Sequence, residues 1–179
     1  MRKPLMRKQK SEFEEKVLEV ARVTRVIAGG KRFSFRATVV VGDRGGRVGL
    51  AVAKGLDVAS AVTKAKRLAQ KNVLRIPRKD KRTVLYDVEG KFSAARVKIK
   101  PARPGHGLIA GGSCRSVLEL VGIKDVSAKI LGRSTNKLNN ARATLEALKK
   151  FIEVEAAESK PEVQQKQDIY ADSRTQNKI

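Results

Sequence analysis

The sequence predicts an α+β fold in two parts: an N-terminal three-stranded antiparallel meander with one helix, then a small C-terminal α/β domain. Three observations predict it. Apolar residues alternate over residues 33–41, they recur at spacings of three and four over 58–69 and 138–152, and a proline-containing basic tract at 75–82 separates the two regions. A chain of 179 residues suits one large domain or two small ones.

Residues 1–10 carry five basic side chains and no acid, and read as a basic arm. In the first domain, 11–74, Ser11 and Glu14 have the spacing of a capping box, which predicts a helical turn before the first strand. Val17 to Ile27 is valine-rich, with Arg22, Thr24 and Arg25 interspersed, and reads as that strand. Gly29-Gly30 supplies a turn. Phe33, Phe35, Ala37, Val39 and Val41 then alternate with polar residues along a second strand, which assigns both phenylalanines to the core. A turn at 42–46 leads to a third strand marked by Val48, Leu50 and Val52. Val58, Ala61, Val62, Ala65, Leu68 and Ala69 form the apolar face of a helix, opposite Lys64, Lys66, Arg67 and Lys71.

Residues 75–83 have five basic side chains, a proline and little to bury, and are taken as a basic linker. The second domain, 84–155, opens with a short strand near Val84 to Val88. Ala95, Val97 and Ile99 alternate with Arg96, Lys98 and Lys100 in the next. Ser113 to Val121 reads as a helix stopped by Gly122, Val126 to Ile130 as a strand, and Leu138, Ala141, Leu145, Leu148 and Ile152 as the buried face of the last helix. Residues 156–179 hold four basic and four acidic side chains without periodicity, and are expected to be a disordered tail.

Lys and Arg number 40 against 18 Asp and Glu, a formal net charge of +22. Such an excess calls for a polyanionic partner, and neutralising nucleic-acid phosphates both relieves self-repulsion and releases counterions. No segment is a long amphipathic helix with an aromatic face, and no apolar run approaches the ~18–20 residues of a membrane span, so the expectation is a cytoplasmic protein without a membrane partner. One cysteine, Cys114, and one histidine, His106, cannot make a disulfide or a structural zinc site. No carboxylate pair suggests general acid–base chemistry, and neither a metal, a cofactor nor a small-molecule substrate is expected. Seven aromatic residues and no Trp disfavour base-stacking on single strands, and favour folded RNA read by shape and phosphate.

Two loops carry the binding expectation. At Gly29-Gly30-Lys31-Arg32, bare glycine backbone and two cations share a hairpin tip, where a phosphate can approach closely. At Gly105-His106-Gly107 through Gly112 a glycine-rich loop precedes a helix, flanked by Arg103 and Arg115. Its G-x-G-x-x-x-G spacing departs from the dinucleotide fingerprint and no Walker lysine follows, which leaves an RNA backbone or purely structural turns ahead of a free nucleotide. His106 has no neighbouring nucleophile or carboxylate. The candidate RNA-binding residues are Arg22, Arg25, Gly29, Gly30, Lys31, Arg32, Ser34, Lys54, Lys64, Arg103, Gly105, His106, Gly107, Arg115 and Arg133.

Gly29 to Phe35, Val40 to Gly49, Pro101 to Gly112, Leu118 to Gly122 and Gly132 to Asn136 together resemble the bacterial form of the fifth small-subunit ribosomal protein. The resemblance covers roughly residues 13–152. It implies an N-terminal domain like the double-stranded-RNA-binding domains, and a C-terminal domain of the ribosomal-protein-S-five D2-like type, shared with some kinases and ribonuclease P protein. It also implies a non-enzymatic structural role in the small ribosomal subunit, with ribosomal RNA and the fourth and eighth small-subunit proteins as partners. By the same likeness the chain lies near the path by which mRNA enters, supports assembly and decoding accuracy, and places Lys31, Arg32 and Ser34 against RNA. A double-stranded-RNA-binding factor acting off the ribosome is the alternative, and a small-molecule kinase a third reading.

Overall fold

The computed structural model describes residues 12–158. The basic arm at 1–10 lies outside them. Strands β1 (Glu14–Ile27), β2 (Gly30–Gly42) and β3 (Arg47–Gly55) form the expected meander, with helix α1 (Val58–Lys71) after it. The sheet has a fourth strand as well. β4 (Val73–Arg75) pairs antiparallel with β3, and its three residues are too few to show an alternation in sequence. The helical turn expected at Ser11 and Glu14 is not formed over 12–14, because Glu14 pairs with Gly42 in the β1–β2 ladder; Ser11 lies outside the described residues.

Helix α1 begins where the Asp57 N–H donates to Ser60 Oγ at 3.2 Å and the Ser60 hydroxyl donates to the Asp57 carbonyl at 2.9 Å. Its buried residues are Ala61, Ala65 and Ala69, which pack on Ala37, Val39, Val41 and Ala53. Short side chains on the helix let its backbone lie close to the sheet.

The other face of this sheet is covered too. Val40, fully buried, interrupts the alternation of β2 and points away from α1 into a core shared with the second half of the chain. A strand buried on both faces reads as a continuous apolar run, which is what 39–41 are.

The second half contains β5 (Val88–Phe92), β6 (Ala95–Pro101), β7 (Leu108–Ile109), α2 (Gly112–Val121), β8 (Val126–Ile130) and α3 (Lys137–Glu158). The sheet order is β5-β6-β8-β7, antiparallel except for the parallel β7–β8 pair. The strand expected at Val84 to Val88 starts only at Val88. Val84 is buried, but in a loop that follows a tight turn closed between Lys79 and Thr83. The apolar and basic faces of β6 are as expected, and Gly122 ends α2 in the left-handed region at φ +86°. Helix α3 runs past Ala156 to Glu158, and residues 159–179 lie outside the described ones.

Residues 75–83 bury more than their composition suggests. Ile76 is in the core, and its N–H donates to the Gly46 carbonyl at 2.8 Å. Arg78 Nη1 donates to the carbonyls of Arg44 (3.1 Å), Val121 (3.4 Å) and Gly122 (3.2 Å). Around that arginine the two halves meet backbone to backbone. The Arg44 N–H donates to Leu120 O and the Gly46 N–H to Val121 O, both at 3.0 Å. The approach is so close that a Cβ on Gly42 would stand 2.3 Å from Leu120 O, and one on Gly122 would stand 2.0 Å from Arg44 O.

Candidate nucleic-acid interface

The β1–β2 ladder continues well beyond the part that α1 covers. From the Arg22–Phe35 pair to the two-residue turn at Ala28-Gly29 the hairpin stands out by roughly 20 Å, taking ~3.3 Å per residue. Register decides what each of its faces presents. Arg22, Thr24, Val26, Lys31, Phe33 and Phe35 share one face. Val23, Arg25, Ile27, Arg32, Ser34 and Arg36 share the other.

On the first face Phe35 is half-buried, but Phe33 is 48% exposed, so the inward assignment holds for one phenylalanine and fails for the other. The reason is position: among the described residues Phe35 is packed on the core under α1, and Phe33, two residues nearer the hairpin tip, is not. The Arg22 guanidinium sits 3.8 Å above the Phe33 ring centroid, a cation–π pair that holds the arginine flat and exposed. Val26, 73% exposed, adds an apolar contact point beside Lys31.

On the second face Arg25 stands directly opposite Arg32, and neither has an acidic partner among the described residues. Like charges directly opposed across two strands destabilise the ladder. A phosphate between two such cations would offset that cost. Arg36, opposite Lys54 at the base of the hairpin, extends the same cationic edge; the sequence pattern did not single it out, because only the β2–β3 register brings it to Lys54. Lys64 is exposed on the outer side of α1, whereas its neighbour Lys66 is engaged by Glu15 at 2.9 Å.

The glycine loop is organised differently from the sequence expectation. The N–H groups of Gly105 and Gly107 both donate to Oδ1 of Asp125, at 3.0 and 3.1 Å, and Arg82 Nε donates to Oδ2 at 2.9 Å. These two amides therefore point inward and are spent. Asp125 is only 2% exposed, and the Gly107 amide first, with Arg82 and the Gly105 amide, holds its carboxyl below the usual carboxylate range against the opposing effect of burial. The left-handed φ values of Gly105 (+90°) and Gly107 (+78°) are what let both amides reach one oxygen. Asp125 was not anticipated; its standing as the single carboxylate between Glu119 and Glu146 in a strongly basic chain is the signal that could have found it.

Outside that clasp Arg103 and His106 are exposed, Arg115 is exposed on the first turn of α2, and Arg133 is exposed beyond β8. The Gly111 cap of α2 contributes no side chain to the helix start, so the open amides there and Arg115 form the part of the loop still able to receive a phosphate. Cys114 is buried, with the Thr144 hydroxyl 3.1 Å from its sulfur, and burial pushes its thiol pKa up. Among the described residues no three His, Cys, Asp or Glu side chains are grouped to hold a metal, and no helix is long and apolar enough to cross a membrane.

Two family models match the chain, ribosomal protein S5, N-terminal domain, over residues 13–77, and ribosomal protein S5, C-terminal domain, over 90–160. Among curated relatives, the small ribosomal subunit protein uS5c of Emiliania huxleyi is 48% identical over 142 residues, covering 79% of this chain and 89% of the relative. The uS5 protein of Gloeobacter violaceus is 49% identical over 141 residues, covering 79% and 63%. That of Thermotoga neapolitana is 46% identical over 145 residues, covering 81% and 80%.

Proposed function

The chain belongs to the ribosomal protein S5 family, a non-enzymatic constituent of the small ribosomal subunit, and from that premise we propose how its surfaces engage ribosomal RNA. The family's partners are small-subunit RNA and ribosomal proteins. The β1–β2 hairpin is the principal RNA contact, with Arg22, Arg25, Lys31, Arg32 and Ser34 on phosphates and the tip glycines Gly29 and Gly30 permitting close backbone approach. Lys54 and Lys64 extend that contact along the base of the hairpin and α1. Arg103, His106, Arg115 and Arg133, around the Gly105–Gly107 loop, form a second contact. Residues 11–74 and 84–155 serve as two RNA-facing domains joined by 75–83, next to the fourth and eighth small-subunit proteins and near the path of incoming mRNA, where they support assembly and decoding accuracy.

The observation that carries this reading is the directly opposed Arg25–Arg32 pair on an unsupported hairpin, an arrangement whose electrostatic cost an RNA phosphate relieves. The duplex-binding factor acting off the ribosome gains no support from relatives that are all small-subunit proteins. Nor does the kinase reading, since those relatives are ribosomal proteins and two of the loop amides, those of Gly105 and Gly107, are taken by Asp125.

Sucrose-gradient sedimentation of a tagged copy tests the reading. Wild-type protein is expected in small-subunit and polysome fractions, with a reduced share for the Lys31→Ala, Arg32→Ala double variant. An undiminished share would remove the hairpin tip from the interface.

A further inference from the structure

Beside Asp125, the segments 79–85 and 101–104 enclose a cavity of about 280 Å³, at the small end of the roughly 300–1,000 Å³ typical of ligand pockets. Val84, Leu85, Pro101, Ala102 and Pro104 form the apolar half of its lining, and Thr83 adds a hydroxyl. Four lining side chains are charged: Lys79 and Arg82 are cationic, and Asp80 and Asp125 carry carboxylates. The two carboxylates differ in what they have left to offer. Asp125 is committed to Gly105, Gly107 and Arg82, and so it ties the wall segments together. Asp80 makes no ion pair among the described residues, and it sits on a turn where both it and Lys81 are left-handed, at φ +53° and +54°. Few non-glycine residues adopt that conformation, and here it is held by the Lys79–Thr83 bridge.

We propose that this cavity receives one unstacked base of the small-subunit ribosomal RNA, with Lys79, Lys81 and Arg82 on the flanking phosphates and Asp80 accepting from the base. The proposal rests on the rRNA-binding reading above and deepens it. Apolar side chains and cations lining one small cavity suit a planar ring on a phosphate chain, and RNA is commonly read through bases splayed out of the stack into protein pockets. A carboxylate only accepts hydrogen bonds, so Asp80, set against the exocyclic position of the ring, accepts from the amino group of cytosine, adenine or guanine and repels the carbonyl oxygen that uracil presents where cytosine has its amino group.

Cytidine and uridine monophosphates differ at that position and are the probes. In amide NMR titrations of the full chain, the cytidine nucleotide is expected to shift residues 82–85 and 102–103 saturably, and to bind several-fold more tightly than the uridine nucleotide. The Asp80→Asn variant should bind the two equally. Inorganic phosphate reproducing the same shifts, or uridine binding as well as cytidine to the unaltered chain, would overturn the proposal. In assembled subunits, Leu85→Trp fills the cavity, and one adenine or cytosine is expected to gain dimethyl sulfate reactivity, or one guanine kethoxal reactivity. An unchanged RNA pattern in subunits that contain the variant would also overturn it. Wild-type protein missing from the subunits would instead overturn the reading on which the pocket rests.

Discussion

Replacing Gly42 by alanine tests whether the two halves are latched as described. Gly42 is not in the left-handed region, so its backbone accepts any residue, and in isolation alanine would stabilise the strand by about 0.5–1 kcal/mol. Contact reverses the sign. The new Cβ would stand 2.3 Å from Leu120 O and 2.8 Å from both Leu120 C and Cβ. Normal C···O contacts are ~3.3–3.6 Å, so α2 must retreat by about an ångström. Leu120 O accepts from Arg44 N–H, and the neighbouring Val121 O accepts from Gly46 N–H. That retreat strains two hydrogen bonds at ~0.5–1.5 kcal/mol each, in addition to an overpacking cost of ~1–3 kcal/mol. The net destabilisation is roughly 2–4 kcal/mol. Chemical denaturation of the full chain followed by circular dichroism measures it, with Gly29→Ala, where a Cβ meets nothing within 4 Å, as the control. Hydrogen exchange should show the Arg44 and Gly46 amides losing protection first. A Gly42→Ala protein as stable as wild type would refute the close backbone approach and the latch built on it.

Further outcomes follow from the interface. Arg32→Ala should raise the stability of the free protein by a few tenths of a kcal/mol while weakening RNA binding and lowering the salt slope of affinity by about one; a variant that loses stability along with affinity would contradict the repulsion between Arg25 and Arg32. Asp125 has a depressed carboxyl pKa in the folded state, so the stability it contributes is present above the unfolded aspartate value near ~3.9 and is lost as pH falls through the lower folded value. Melting temperature against pH should therefore drop more steeply in acid for wild type than for Asp125→Asn, and parallel curves would exclude the clasp as the source. The Cys114 thiol, buried and raised, should react with a disulfide reagent only as fast as the protein opens, and rapid reaction in the native state would place it at the surface.

Much of the architecture was readable because the elements that make it are long enough to show a period. The alternation of β6 survives in the structure, as does the spacing of α3 at Ala141, Leu145 and Leu148, whereas in α1 only Ala61, Ala65 and Ala69 are buried and Val58 and Leu68, at the margins of the expected apolar face, are exposed. β4 and β7, with three and two residues, have no period to show, and only their partners in space define them. Phe33 was misassigned because alternation says which face a residue takes, not whether anything covers that face. Val40 carried the opposite lesson, since this apolar residue on the polar side of β2, in register with Leu50 of β3, packs against the second half. At the candidate site, the cations of the hairpin were evident from composition and turn chemistry. The opposition of Arg25 to Arg32 depends on register, and the capture of the loop amides depends on Asp125, some twenty residues further along.

The latch between the β2–β3 turn and the end of α2 also sets an order of events during synthesis. Leu120 and Val121, which accept from Arg44 and Gly46, are made roughly 75 residues later, on the order of 4–15 s at ~5–20 residues per second. Throughout that interval the first sheet can seat α1 on one face while Val40 and Val48 on the other remain uncovered. A nascent chain of this protein thus passes through a stage with an open apolar face and a strongly cationic hairpin, which makes prompt completion of the second half a condition for avoiding aggregation.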